Sequence, residues 1–292
     1  MKIAAVVVTF NRKELLLETL RGLLNQTREL DRILIIDNAS TDGTQEQLGE
    51  SGILENSVVE YCRLPENTGG AGGFSHGMRL ALEGGYDWIW TMDDDVEPAA
   101  DCLEVLLKYT DISECLNSTK IFTENNEVQY WEQYFDFATA RLVDLKNASF
   151  ENEKPWCAVN VTCFEGMLVS RNILEKVSPP DPAYFIYHDD TVFGIKASFY
   201  TNVIYVRDAV FYKKIYGYGA TTKMRCYYMI RNTFRLKREV FATGYVGRAS
   251  AFTNFLFFLN LAKLSINAVI DKPSLEIVKS LANGWIDGIR GR

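Results

Sequence analysis

The stretch DWIWTMDDDVEP, residues 87–98, drives an apolar run into three consecutive carboxylates, Asp93, Asp94 and Asp95, and then meets Pro98. A segment as apolar as WIWTM reads as a strand inside a sheet, which puts the three acids where that strand leaves the core. A carboxylate there is costly to desolvate unless it meets water, a donor or a cation. The triplet therefore predicts a strand end at the rim of a cleft, with a divalent cation as its first candidate partner. A solvated acidic turn before Pro98 is the plainer alternative.

The first hundred residues repeat this pattern. IAAVVVTF (3–10), RILIID (32–37) and VVEYCRL (58–64) are short, branched or aromatic runs bounded by polar turns, and they read as further buried strands. Between them KELLLETLRGLL (13–24), TQEQLGE (44–50) and FSHGMRLALEGG (74–85) read as helices. Strand–helix alternation predicts an α/β fold with a Rossmann-like, mostly parallel sheet, whose ligands sit beyond the carboxyl ends of the strands. TFNR (9–12), DNASTDGT (37–44), NTGGAGG (67–73) and the acidic triplet then share one rim. From about 118 to 212, STKIFTENNEVQYW, FDFATARLVDL, CAVNVTCFEGMLVS and AYFIYHDDTVFGIKA predict a mixed or antiparallel extension of the sheet. The chain after 220 reads as helices. This divides it into a main domain over 1–220 and a C-terminal helical extension over 221–292.

Composition narrows the function. With 292 residues, 47% of them hydrophobic, the chain has enough material for one large core with an appendage. A net charge of -7 and a pI near 5.1 argue against nucleic acid as a partner. Six cysteines without a CxxC pair predict neither a zinc site nor a disulfide framework, and fit reduced thiols in a cytoplasmic enzyme. The N-terminal apolar run is broken by Asn11, Arg12 and Lys13 and reads as a strand, not a signal peptide. Residues 251–270 hold 14 apolar residues in 20, but Asn254, Asn260, Lys263 and Asn267 recur near helical spacing. That polar stripe predicts a core-covering, interfacial or oligomer-forming helix rather than a membrane span.

The loops carry the chemistry. The acidic triplet, with a second acidic pair in HDD (188–190), suits Mn²⁺ or Mg²⁺ beside a diphosphate. NTGGAGGF allows close backbone approach to a ligand at a helix start, or simply tight packing. It matches neither GxGxxG, since Ser75 stands where the third glycine belongs, nor GxxxxGK[ST], so dinucleotide and P-loop readings fail. Asp37 ends a strand and is placed to accept from a base or ribose, while Ser40, Thr41 and Asp42 read as helix-cap residues. TFNRKELL lacks the GxGxR-like loop of a sugar-phosphate nucleotidyltransferase.

Taken in order, VVVTFNR, IIDNASTDGT, RLPENTGGAGGF, WIWTMDDDV, YFIYHDD and YYMIRN resemble the family 2 glycosyltransferases of the GT-A fold, over residues 1 to about 235. NTGGAGGF followed by DDD is most similar to bacterial galactofuranosyltransferases, with rhamnosyltransferases close behind. The resemblance implies a nucleotide pocket lined by Thr9, Arg12 and Asp37, with Asp37 facing the base. It implies a floor shaped by Asn67, Gly70 and Gly72, a metal and diphosphate held by Asp93 and Asp95, and Asp94 leaning toward the sugar or ribose. Aligning Lys196 with the family's basic residue makes Asp190 the counterpart of the catalytic base and Asp189 its acidic neighbour.

Two departures stand out. Tyr212 occupies the place where relatives often carry a metal-binding histidine, and Val192 the place of another acid. His188 then serves to orient the acid pair, and His76 is an ordinary helix residue. The activity implied is inverting, metal-dependent transfer of galactofuranose from UDP-galactofuranose to a polysaccharide or lipid-linked glycan. A dTDP-rhamnose-dependent enzyme and a non-catalytic partner subunit are the alternatives. The C-terminal helices imply contact with the inner face of the membrane or a second copy.

Overall fold

The computed structural model describes residues 1–129, 132–145, 153–216, 221–244 and 246–292. The N-terminal half alternates as β1 (Ile3–Thr9), α1 (Lys13–Leu24), β2 (Arg32–Asp37), α2 (Thr44–Glu50), β3 (Val59–Arg63), α3 (Gly69–Glu83) and β4 (Trp88–Asp93). All seven residues of β1 are buried, because it lies between two sheet neighbours and is covered on both faces. Ile3, Ala5 and Val7 join one hydrophobic cluster, and Ala4, Val6 and Val8 the other. The period-two side-chain alternation of a strand sorts them.

β1 pairs in parallel with β2 on one side and β4 on the other, and β2 in parallel with β3. The chain thus runs outward through β2 and β3, then returns across β1 to lay down β4. This reversal opens a crevice at the carboxyl ends of β1 and β4. Thr9 is in register with Asp37, and Val8 with Asp93, so three of the four polar loops start at one level.

The second half adds β5 (Val96–Pro98), α4 (Cys102–Leu107), β6 (Cys115–Phe122), β7 (Val128–Gln129), β8 (Gln133–Asp136), β9 (Arg141–Asp144), β10 (Trp156–Val159), β11 (Met167–Ser170), α5 (Arg171–Val177), α6 (Asp189–Ala197) and β12 (Val203–Lys213). The main sheet runs β10-β12-β6-β11-β4-β1-β2-β3, with β5 on β12 and β7 on β6; β8 and β9 form a separate hairpin. β11 is antiparallel to both β4 and β6, which makes the sheet mixed. The expected hairpin over 118–131 appears as β6–β7; Tyr130 and Trp131 lie outside the described residues.

Two expectations change. DDTVFGIKA forms helix α6 rather than part of the sheet. Seven of its nine residues are buried, so it lacks the polar face that would have revealed a 3.6-residue period. The glycine-rich segment is not a loop ahead of α3 but its first two turns, beginning at Gly69. The helix lies so close to β1 that a Cβ at Gly77 would fall 2.3 Å from Val6 Cγ1.

The chain ends in α7 (Lys223–Ala242), α8 (Ala251–Asp271) and α9 (Leu275–Arg290). Their inner faces share a third cluster with Phe135 of β8 and with Val192 and Ile195 of α6. Val192 is 4% exposed, so its side chain packs into that cluster.

Candidate active site

The loop after β1 and the acidic triplet hold each other. Asp94 Oδ2 accepts from Thr9 Oγ1 at 2.7 Å and from the Phe10 amide at 3.3 Å, and Asp94 Oδ1 accepts from Arg12 at 3.1 Å. Arg12 also lies 3.3 Å from Asp95 Oδ2. Asp94 therefore turns toward β1 and braces the loop, instead of leaning into the cleft. Asp37 is braced as well: Tyr61 Oη donates to it at 2.5 Å and the Ser40 amide at 2.8 Å. Asp42 accepts from the Lys13 and Thr44 amides and so links the starts of α1 and α2, but the cap positions themselves fall to Arg12 and Gly43 rather than to Ser40, Thr41 or Asp42.

Asn38, next to Asp37, ties this rim to the glycine segment. Its Nδ2 donates to the Gly69 carbonyl at 3.1 Å, and its Oδ1 accepts from the Thr68 amide and hydroxyl. Asn67 Oδ1 accepts from the Gly69 amide at 2.8 Å. Gly69 has φ +72°, and a Cβ there would lie 2.0 Å from the Phe185 carbonyl oxygen. Both the backbone conformation and the space demand glycine. Gly72 turns toward Thr68, whereas Gly70 faces open space.

A cavity of about 710 Å³ opens beside this rim, and Gly70, Asp93, Asp189 and Asp190 line it together. Thr9, Arg12, Asp37, Asn67, Gly72, Asp94 and Asp95 stand on the rim outside its lining. The far wall comes from the β8–β9 hairpin, including Phe135 and Arg141, and from α7 and α8, including Thr233, Asn260, Lys263 and Asn267. The polar stripe seen in the sequence of α8 thus contributes three residues to the cavity.

The acids at the Asp93 corner are held against their ordinary ionisation. Burial raises Asp93 well above the carboxylate range, and Asp95, Glu165 and Asp94 add to the shift while Lys213 opposes it. Asp95 is raised by burial and by Glu165, against Lys213 and Arg12. Neither Glu165 nor Lys213 is among the site residues expected from the sequence. Lys213 Nζ pairs with Glu165 Oε1 at 2.6 Å, with both side chains nearly buried. Tyr212, where a histidine was expected, is 41% exposed, and its neighbour Lys213 brings an ammonium to the cluster instead.

A divalent ion fits this corner. Asp95 Oδ1 is buried without a hydrogen-bond partner. Among the described residues no three His, Cys, Asp or Glu side chains converge to hold a metal by themselves. Mg²⁺ and Mn²⁺ in nucleotide sites characteristically take one or two carboxylates and complete their shell with phosphates and water. Asp93 and Asp95 suit that arrangement.

At the other end, α6 begins with His188 as N-cap, followed by Asp189 and Asp190. Asp190 Oδ1 accepts from the Thr191 amide at 2.6 Å and its hydroxyl at 3.2 Å. Burial raises Asp190, offset in part by those bonds, by Cys163 and by Lys120; burial also raises Asp189, and the Asp190 charge raises it further. Burial lowers His188 to about 4, so its ring is neutral near pH 7, and Nε2 lies 3.1 Å from Thr233 Oγ1. Phe185, Tyr187 and His188 all have φ between 63° and 70°. Such conformations cost non-glycine residues on the order of 1–3 kcal/mol each and persist only where surroundings enforce them.

Residues 4–177 match Glycosyl transferase family 2. The chain belongs to this family. Over 97 residues it is 39% identical to galactofuranosyltransferase GlfT1 of Mycolicibacterium smegmatis, covering 33% of this chain and 31% of that protein. The match to that relative thus spans less than a third of its length. The dTDP-rhamnosyl transferase RfbF of Shigella flexneri is 23% identical over 304 residues, 99% of this chain and 96% of that one. Among solved structures, S. aureus TarS in complex with UDP aligns with a TM-score of 0.66 at 16% identity, over 99% of this chain and 80% of that one. The mannosyltransferase PcManGT from Pyrobaculum calidifontis, in complex with GDP-Man and Mn²⁺, aligns at 0.60 with 17% identity and the same coverage. Likenesses at these identities establish the fold: this family 2 glycosyltransferase has a GT-A-like α/β architecture with C-terminal helices.

Proposed function

We propose that this family 2 glycosyltransferase is an inverting, metal-dependent hexosyltransferase that moves galactofuranose from UDP-galactofuranose onto a polysaccharide or lipid-linked glycan acceptor. The observation that carries the reading is the shared cavity, in which Asp93 from the donor rim meets Asp189 and Asp190 from α6. A sugar held between them has its leaving group toward one set of acids and its attacked face toward the other.

Thr9, Arg12, Asp37, Asn67, Gly70, Gly72, Asp93 and Asp94 are assigned to the donor side, with Asp94 acting through the Thr9–Arg12 loop it braces. Asp190 is assigned as general base: it lines the cavity, its Oδ1 is held by the Thr191 amide, and its carboxylate would take the proton of the attacking hydroxyl. Asp189 is its acidic neighbour. Asp93 and Asp95 would hold Mn²⁺ or Mg²⁺, which when bound neutralises charge on the departing diphosphate. The partial match to GlfT1 favours galactofuranose; the end-to-end match to RfbF favours a dTDP-rhamnose donor as the second reading.

Residues 1–220 are taken as the catalytic domain and 221–292 as an extension that walls the acceptor end. The extension is also assigned to a cytoplasmic membrane face. On α8, Phe252, Phe255, Leu259, Ile266 and Ile270 are exposed and fall on one stripe. The segment 221–292 has twelve Lys and Arg against four Asp and Glu, a net +8, while residues 1–220 carry -15. A segment of net positive charge that carries an exposed apolar stripe suits an anionic lipid surface. The test of the donor reading is a panel of UDP-, dTDP- and GDP-sugars incubated with the purified protein and Mn²⁺ or EDTA. Turnover of UDP-galactofuranose supports the reading, turnover of dTDP-rhamnose alone favours the second, and no turnover of any donor overturns both.

A further inference from the structure

We infer that Asn232, with Arg231 and Thr233 beside it on α7, is the positioning residue that holds the loop carrying Asp189 and Asp190 in register with the donor rim. The inference rests on the proposed role of Asp190 and adds to it a group that never touches substrate. Asn232 is fully buried. The two N–H groups of its Nδ2 are shared among three carbonyls of the loop, those of Tyr184 at 2.9 Å, Ile186 at 2.7 Å and Tyr187 at 3.0 Å. Arg231 Nε donates to Asn232 Oδ1 at 2.8 Å, which fixes which way the amide points. Arg231 Nη2 donates to the carbonyls of Ala183 at 2.5 Å and Tyr184 at 3.0 Å.

The loop cannot keep this shape by itself. Phe185, Tyr187 and His188 sit in the left-handed region without being glycine, and His188 is the residue from which α6 starts. A relaxation of any of the three swings the first turn of α6 and both aspartates with it. The opposite side of the loop is pinned to the donor rim: the Ala71 amide donates to the Phe185 carbonyl at 3.1 Å, and Gly69 packs directly against that oxygen. The Phe185 ring stacks on Tyr228 of α7 at 5.0 Å. The loop is therefore held between α3, which belongs to the donor rim, and α7. Asn232 supplies the second jaw. An amide suits this position because a carboxylate would set its oxygens against three carbonyls.

The test uses the full chain with Asn232→Ala, Asn232→Asp and Thr233→Val, compared with Arg238→Ala, whose hydrogen bond is to the Gly288 carbonyl of α9 rather than to the loop. Two readouts are taken: kcat and KM for transfer with UDP affinity by calorimetry, and amide hydrogen exchange over 184–191. Asn232→Ala and Asn232→Asp are expected to lower kcat at least a hundredfold, to leave UDP affinity within threefold, and to raise exchange over 184–191 but not in β1 or β4. Thr233→Val, which releases His188 and, within α7, the Met229 carbonyl, is expected to show the same pattern at roughly tenfold in kcat, and decides the matter if the Asn232 variants do not fold. Arg238→Ala should leave exchange over 184–191 and kcat near those of the intact protein. Unchanged kcat and exchange in the Asn232 variants, or a fall in kcat matched by equal loss of UDP affinity and of protection throughout the sheet, overturns the inference. Exchange is read without turnover, so a protein inactive on every donor still tests the clamp while refuting the role of Asp190.

Discussion

Replacing Lys213 with methionine keeps most of the unbranched side chain and removes its charge from a cluster that contains Asp93, Asp95 and Glu165. Lys213 Nζ and Glu165 Oε1 are 2.6 Å apart, with side chains 13% and 8% exposed. Unpairing one member of a buried pair costs about 3–5 kcal/mol, because the remaining charge keeps its desolvation penalty. The nearest remaining cation on the triplet is Arg12, which is committed to Asp94 and Asp95. At ~2–3 °C per kcal/mol, the variant should melt roughly 6–15 °C below the intact protein near pH 7.

The pH dependence has a fixed sign. Asp93 and Asp95 already titrate above their ordinary range, by burial first, with Lys213 opposing the shift. Without Lys213 they rise further. A carboxylate whose folded pKa exceeds its unfolded value destabilises the fold increasingly as pH climbs from the unfolded value toward the folded one. The gap between variant and intact protein should therefore narrow from pH 7.5 to pH 5.5. Thermal and urea unfolding followed by circular dichroism at both pH values measures it. A variant within about 1 kcal/mol of the intact protein at pH 7.5, or a gap that widens on acidification, refutes the ion-pair reasoning.

Three further outcomes are expected. UDP should bind about tenfold more tightly with Mn²⁺ than with EDTA, and Asp95→Ala should erase the difference; equal affinities in the intact protein remove the metal from the donor side. Gly69→Ala should lower stability by about 2 kcal/mol or more, since it combines a left-handed φ with a collision against the Phe185 backbone, and a melting temperature within a degree of the intact protein counts against that geometry. Sedimentation with vesicles should be stronger for anionic than for zwitterionic lipid and fall with salt, and a monomer that ignores both restricts α8 to walling the cavity.

The parallel half of the fold was legible because its cues are local. Strands such as RILIID are uniformly apolar, and α1 shows its amphipathic spacing between Lys13 and Leu24, the bounds it has in the structure. α6 was misread because burial on nearly all sides removes the polar face that periodicity needs. The acids of the site were visible for the opposite reason, as charges standing against apolar runs. Glu165 carried the same signal, a single acid inside VTCFEGMLVS, but its partner Lys213 comes from β12 and only tertiary pairing joins them. Asn38 and Asn232 had no such signal. Their function is to donate to backbone carbonyls of segments 31 and up to 48 residues away, which composition and spacing do not encode.

The central claim, that sugar transfer depends on Asp190 as base across the cavity from the acidic triplet, is tested most directly by kcat of Asp190→Asn. The amide keeps the volume of the carboxylate but cannot take a proton, so turnover should fall by about 10² to 10⁴. UDP affinity should stay within a few-fold, because the donor contacts lie with Asp37, Asp93 and the β1 loop. Asp189→Asn, measured beside it, should lose less. Near-normal turnover by Asp190→Asn contradicts the assignment: with Asp189→Asn inactive the base moves by one residue, and with both variants active it lies outside α6 altogether.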